Sequence, residues 1–169
     1  KPISLIPKHN SALYSYINGN MISYPTDFII KACSDFIITI NKKIADSKSK
    51  FNMASDYSLT FEDSLKKLAL RIFRLKKYLG QNSSMYSNIL NDIEDRFYIL
   101  SKFVNNTNFL GKLQIHKTDH IISPSDFGIH NMLEKGNKFY FVDFEYAGID
   151  NSLKLLCDFY CQPRIPITN

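Results

Sequence analysis

Residues Ser123–Gly148 read SPSDFGIHNMLEKGNKFYFVDFEYAG, and the stretch changes character three times. Pro124 among small polar neighbours forbids helix and favours an irregular turn leading to Asp126. Asn131–Glu134 and Lys138–Val142 then read as short strands joined through Lys135-Gly136-Asn137, where Gly136 supplies the positive φ of a tight turn. The midpoint between positions 131 and 143 is residue 137, inside that turn. On this register Asn131 and Asp143 face each other at the open end of the hairpin, able to share one ion. Asp126 lies five residues before Asn131, through a loop containing Gly128, which brings its carboxylate to the same place.

An amide oxygen beside a carboxylate is a set of hard ligands suited to Mg²⁺. Phosphoryl transfer to a hydroxyl asks for such a metal site and for a carboxylate that accepts and orients the hydroxyl proton. Asp126 fits the second role, and Asn131 and Asp143 the first. With 12 Asp and 15 Asn in 169 residues, about one D-x4-N arises by chance, so the spacing counts only through its placement beside the hairpin and Asp143.

Upstream, three amphipathic helices are expected. Thr26 is an N-cap for a helix carrying Ile29, Cys33, Phe36, Ile40 and Ile44 at helical spacing. Thr60 and Asp63 resemble a capping box ahead of Leu65, Leu68, Ala69, Ile72, Leu75 and Leu79, with Gly80 as the stop. A third helix runs from about Ser84 with Ile89, Ile93, Phe97, Leu100 and Val104 on one face. Residues 46–59 read as a polar loop. Ala12–Ile17 (ALYSYI) reads as a lone short strand ending at Asn18-Gly19-Asn20. Downstream, Asp150 or Asn151 caps a last helix with Leu153, Leu156 and Tyr160 on one side, ended before Pro163.

Composition bounds the rest. A chain 44% hydrophobic and 14% aromatic can fold around a core, and no apolar run is long enough to span a membrane. Three cysteines (Cys33, Cys157, Cys161) are an odd number, arguing against a disulfide framework and for a reducing, cytoplasmic setting. Cys157 and Cys161, with no His nearby, read as helix positions rather than metal ligands. Much of the +5 net charge sits in Lys66, Lys67, Arg71, Arg74, Lys76 and Lys77. Sparse aromatic residues on that face argue against nucleic acid as its partner.

His116 and His120 are an i,i+4 pair beside Asp119, but Lys117-Thr118-Asp119 gives no firm helix to present them to zinc, so they read as surface histidines, and His130 reads as a loop residue. Ser123 and Ser125 lack a nucleophile elbow.

The D-x4-N of DFGIHN, followed about a dozen residues later by the Asp143 of FVDFEYAG, resembles the protein-kinase-like phosphotransferases. DFEYAG looks like the choline and ethanolamine kinases, and SPSDFGIHN like relatives of the aminoglycoside phosphotransferases. This resemblance implies an α+β, mainly helical fold. It would be the C-terminal lobe of such a phosphotransferase (residues 21–169) with a short catalytic β-hairpin, the N-lobe largely absent and residues 1–20 a remnant of it. It implies Asp126 as catalytic base, Asn131 and Asp143 as Mg²⁺ ligands, Glu145 as an outer-shell partner and Asp158 as support for the catalytic loop. Tyr14, Ser15, Tyr16 and Ile17 would form the nucleotide hinge. ATP would be the co-substrate and a small hydroxylated molecule the acceptor. Two departures stand out: Pro124-Ser125 replaces the usual His-Gly before the catalytic Asp, and Lys154 occupies the spacing where many members carry their helix aspartate. No Gly-rich loop or strand lysine precedes residue 12, so the chain alone is expected to be inactive and prone to associate, pending the missing N-lobe. The competing expectation is a non-catalytic helical module whose basic helix docks an acidic partner.

Overall fold

The computed structural model describes residues 2–9, 11–44, 50–79, 86–106 and 120–167. Its architecture is mixed α+β, with four α-helices and seven short strands among the described residues. An N-terminal hairpin pairs β1 (Pro2–Ile6) with β2 (Ser11–Tyr14). Then come β3 (Asn20–Met21) and helices α1 (Asp27–Ile44), α2 (Phe61–Leu79) and α3 (Ser87–Asn106). The remainder is β4 (His120–Ser123), β5 (Met132–Lys135), β6 (Lys138–Phe141), β7 (Gly148–Asn151) and α4 (Ser152–Tyr160).

Helix starts follow local chemistry. Thr26 Oγ1 accepts the Ile29 N–H at 3.2 Å. Thr60 and Asp63 form a reciprocal capping box, Oγ1 accepting the Asp63 N–H at 3.0 Å and Oδ2 accepting the Thr60 N–H at 3.1 Å. Asn151 caps α4 by accepting the Leu153 N–H at 2.7 Å. The expected stop at Gly80 and start at Ser84 lie outside the described residues.

Four expectations are corrected by the structure. The strand at residues 12–17 is not alone: β2 ends at Tyr14 and pairs with β1. The hairpin register is one residue tighter than expected, because Lys135 pairs with Lys138 and leaves Gly136-Asn137 as a two-residue turn, with Gly136 at φ 61°. Asn131 therefore stands opposite Val142, whose N–H donates to the Asn131 carbonyl at 3.0 Å, and Asp143 lies one residue further out. In α4 the buried face is Leu155 and Phe159, while Leu153, Leu156 and Tyr160 are exposed. In α3, Leu90 rather than Ile89 turns inward.

One core lies where α1, α4 and the hairpin converge. Ile22, Ile29, Cys33, Phe127, Ile129, Met132, Leu155 and Phe159 are buried together. Rings knit it: Phe36 stacks on Phe141 with centroids 4.1 Å apart, and Phe127 on Phe159 at 5.3 Å. Beside it, β4 pairs antiparallel with β7, and the Asn41 amide of α1 grips Ile122 on β4, accepting its N–H at 2.9 Å and donating to its carbonyl at 3.0 Å.

The described part of the expected polar loop is docked against this sheet. The Ala54 N–H donates to the Ile149 carbonyl, the Ile149 N–H to the Asn52 carbonyl and the Ser55 N–H to the Tyr146 carbonyl. Gly148 permits the approach, since a Cβ there would lie 2.4 Å from the Ala54 nitrogen. Asp150, fully buried, accepts the Ser58 and Asn151 N–H groups on Oδ1, each at 2.8 Å.

Candidate functional site

Between β4 and β5 the chain makes one irregular passage, and its backbone is held in uncommon geometry. Among the described residues only Ser125 (φ 72°) and Asp143 (φ 66°) are non-glycine residues in the left-handed region. One immediately precedes Asp126, and the other is itself a candidate ligand. Such conformations persist where surrounding structure over-determines them, commonly at functional sites. Here the determinants are visible. Ser123 Oγ, buried at the end of β4, accepts the Ser125 N–H at 3.0 Å, and the Asp126 N–H donates to the Pro124 carbonyl at 3.1 Å.

After Asp126 the chain dives inward. Phe127 enters the ring stack, and Ile129 begins a single 3-10 turn, Ile129–Asn131, that delivers Asn131 to the mouth of the hairpin. Asn131 Nδ2 donates to the Asp126 carbonyl at 2.9 Å, tying the two ends of the D-x4-N segment together. That bond orients the amide, whose Oδ1 is a hard oxygen donor.

Asp126 itself is half exposed, its side chain 51% accessible. Its Oδ1 accepts from Gln162 Nε2 at 3.2 Å, and its Oδ2 lies 3.4 Å from His130 Nε2. Asp143, Glu145 and Tyr146 are exposed just beyond β6. The Tyr146 phenol is held above its ordinary value first by a hydrogen bond with Glu145, then by the Glu145 charge, burial and the charges of Asp143 and Asp126. One side chain thus senses both carboxylates.

The outer face of Asp126 opens on a cleft of about 490 Å³ whose walls include Ser125, Tyr146, Asp56, Lys154, Asp158 and Pro163. Arg71 of α2 reaches into it and pairs with Asp56. Lys154 sits between two carboxylates, paired with Asp158 and 3.4 Å from Asp150 Oδ2. Burial opposes the Lys154 charge, but the Asp158 bond and the fields of Asp158, Asp150 and Asp56 outweigh it, holding the ammonium above the usual lysine value. One ammonium serving two acids leaves Asp158 short of compensation. Burial, with Asp150 and Asp56, raises its carboxyl despite Lys154.

The sequence-derived residues fall into three places. Asp126, Asn131, Asp143 and Glu145 gather around the loop and the mouth of the hairpin. Asp158 lines the same cleft but is engaged with Lys154, and the carboxylate that braces backbone N–H groups is Asp150. Tyr14, Ser15, Tyr16 and Ile17 connect the β1–β2 hairpin to β3, which pairs with β5. Residues that sequence reasoning passed over are Gln162, Asp56 and His130 as a contact of Asp126. His130 carried the only local signal, sitting at i,i+4 from Asp126. His116 and Asp119 lie outside the described residues. Among the described residues no group of three or more His, Cys, Asp or Glu side chains is placed to hold a metal.

No family model matches this sequence, and no curated protein matches it significantly. The functional reading therefore rests on the residues and their geometry. No helix among the described residues is long and apolar enough to cross a membrane.

Proposed function

We propose that this chain belongs to an ATP-dependent phosphotransferase that moves the γ-phosphoryl group to a hydroxyl of a small molecule, with Asp126 as proton acceptor and Asn131 and Asp143 as ligands for Mg²⁺. The observation that carries the reading is the pairing of Asp126 with Asn131 across one tied turn, with left-handed backbone at both Ser125 and Asp143. Resemblance to kinase-like C-lobes supports it from the sequence side.

The donor set fits the metal: Asn131 offers an amide oxygen on a side chain oriented by its nitrogen's bond to the Asp126 carbonyl, and Asp143 an exposed carboxylate. Mg²⁺ held there would supply charge neutralisation on the nucleotide phosphates. Asp126 needs no metal for its own part. Facing the cleft, it would accept the acceptor's hydroxyl proton and aim the oxygen, while the walls restrict how that molecule lies. The 14–17 stretch, next to the hairpin sheet through β3, would meet adenine through backbone groups.

The test uses the full-length protein with Mg²⁺, ATP and a panel of small hydroxylated acceptors. Asp126→Asn keeps shape but removes the proton acceptor, so turnover should fall by about 10² or more with nucleotide affinity little changed. Asp143→Asn should weaken nucleotide affinity and recover part of its activity in excess Mg²⁺. Near-normal turnover in both variants would sink the proposal.

The second reading, a basic helix docking an acidic partner, is weakened by how α2 spends its charge. Four of its six basic side chains pair with acids of the same chain: Lys66 with Glu62, Lys67 and Arg71 with Asp56, and Lys76 with Glu94. Salt-sensitive, Mg²⁺-indifferent binding to a polyacidic probe would revive it.

A further inference from the structure

We propose that His130 and Gln162 are positioning residues that clamp the Asp126 carboxylate from both sides, with Gly128 as the residue that lets them meet there. The kinetic part of this inference rests on the phosphotransferase reading; the structural part does not.

Each jaw is oriented by a separate contact. Gln162 follows α4, and its Oε1 accepts the Arg164 N–H at 3.3 Å, which fixes the amide so that Nε2, the donor end, faces Asp126 Oδ1 at 3.2 Å. His130 is almost enclosed, its side chain 8% exposed, and Nε2 points at Oδ2 from 3.4 Å. A carboxylate oxygen only accepts, so Nε2 carries a ring hydrogen, while the buried Nδ1 has no hydrogen-bond partner among the described residues.

Both jaws are anchored in the core. His130 lies between Ile129 and Asn131, and Ile129 and Met132 are fully buried. Gln162 lies two residues past the end of α4, whose Leu155 and Phe159 are buried. Gly128 ties them: a Cβ there would stand 2.6 Å from His130 Nδ1 and 3.0 Å from Gln162 Cγ. Its φ of −170° is open to any residue, so space, not conformation, calls for glycine.

An unrestrained aspartate on a half-exposed loop rotates about its last bond, and a proton acceptor works only when its lone pair is aimed. The clamp takes one lone pair on each oxygen and leaves the others facing the cleft. Rotation is removed while basic sites remain.

Two measurements decide it. In the chain itself, ¹⁵N spectra of the His130 ring should show the Nε2–H tautomer, and Asp126→Ala should move both the ring resonances and the Gln162 side-chain amide, whereas Lys31→Ala on α1 should not. In the full-length enzyme, His130→Ala and Gln162→Ala should each lower kcat by roughly 10- to 100-fold, with the nucleotide KM within about twofold. His130→Gln, whose amide nitrogen reaches the place of Nε2, should recover most of the loss, and His130→Asn should not. Gly128→Ala should mimic His130→Ala. Should His130→Ala fail to fold, Gln162→Ala, at a partly exposed position, carries the same kinetic test. An Nδ1–H tautomer, ring and amide resonances indifferent to Asp126→Ala, or alanine variants at wild-type kcat would each overturn the clamp. If the wild-type enzyme transfers no phosphate to any acceptor, the phosphotransferase reading is what fails, and the ring and amide resonances still judge the clamp.

Discussion

Two pairs of helices in this chain are used in opposite ways. α1 and α4 close on the hairpin and add Cys33 and Phe159 to one buried cluster, whereas α2 and α3 add nothing to that cluster among the described residues and leave Phe73 and Ile99 at 63% and 66% exposure. The first pair carries a stack of rings directly under the Asp126 loop. From the second pair, α2 contributes Arg71 to the rim of the cleft. Rigidity is concentrated beneath the groups that need fixed directions, and the far wall is left to side chains long enough to adapt.

The sharpest way to break that contrast is to remove one ring from each half. Phe127→Ala should cost about 3–5 kcal/mol, since it empties a buried site bordered by Phe36, Phe141 and Phe159. Phe73→Ala on α2 should stay within about 0.5 kcal/mol. Equal losses in urea titrations would show that the two halves are packed alike.

A smaller effect tests the boundary between them. Lys154→Met leaves Asp150 and Asp158 without their shared ammonium and should cost about 2 kcal/mol near neutral pH, reduced from a fully buried pair because Asp158 is 39% exposed. The pH dependence has two signs. The Lys154 ammonium is held above 10.5, so the stability it lends is present below that value and is lost as pH rises through its folded value. The Asp158 carboxyl is raised, so ionising it opposes folding. The stability of its neutral form is present below the ordinary 3.8 and disappears as pH climbs through the folded value. The deficit of Lys154→Met relative to wild type should therefore shrink at both extremes. Thermal melts showing a constant deficit from acid to alkali would contradict the shared-ammonium account.

The smallest effect lies in the caps. Thr60→Ala removes the Oγ1 bond of the capping box, leaving the residue's own N–H to donate to Asp63, and should cost about 1 kcal/mol, read as a lower melting temperature. A loss much below that would mean α2 is held by Lys67, Arg71 and their Asp56 partner instead.

The caps were also the most legible part of the sequence, because Thr26 and Thr60 act on N–H groups three residues away. The hairpin was legible through Gly136, but its register was not, since a two-residue and a three-residue turn both suit Lys135-Gly136-Asn137. What escaped reading was non-local. The segment 52–58 looks polar because its backbone is satisfied by residues near 146–150, and the β4–β7 pairing joins positions almost thirty apart. The α4 face was misjudged because Leu153, Leu155 and Leu156 are equal candidates by spacing, and only the Phe127 ring decides for Leu155 and Phe159. Asp126, Asn131 and Asp143 were legible as a set, while Gln162 was not, being 36 residues from its partner.

The packing of Cys33 gives the chain a chemical clock. Its thiol lies 3.3 Å from the Met132 sulfur, and burial pushes it up to about 12, whereas Cys157 and Cys161 are exposed. Alkylating reagents attack the thiolate. Two sulfurs should therefore be modified from the native surface, and the third only during the rare openings that separate α1 from the hairpin. The lag between the second and third adduct in a mass spectrum would time the breathing of the layer that supports Asp126.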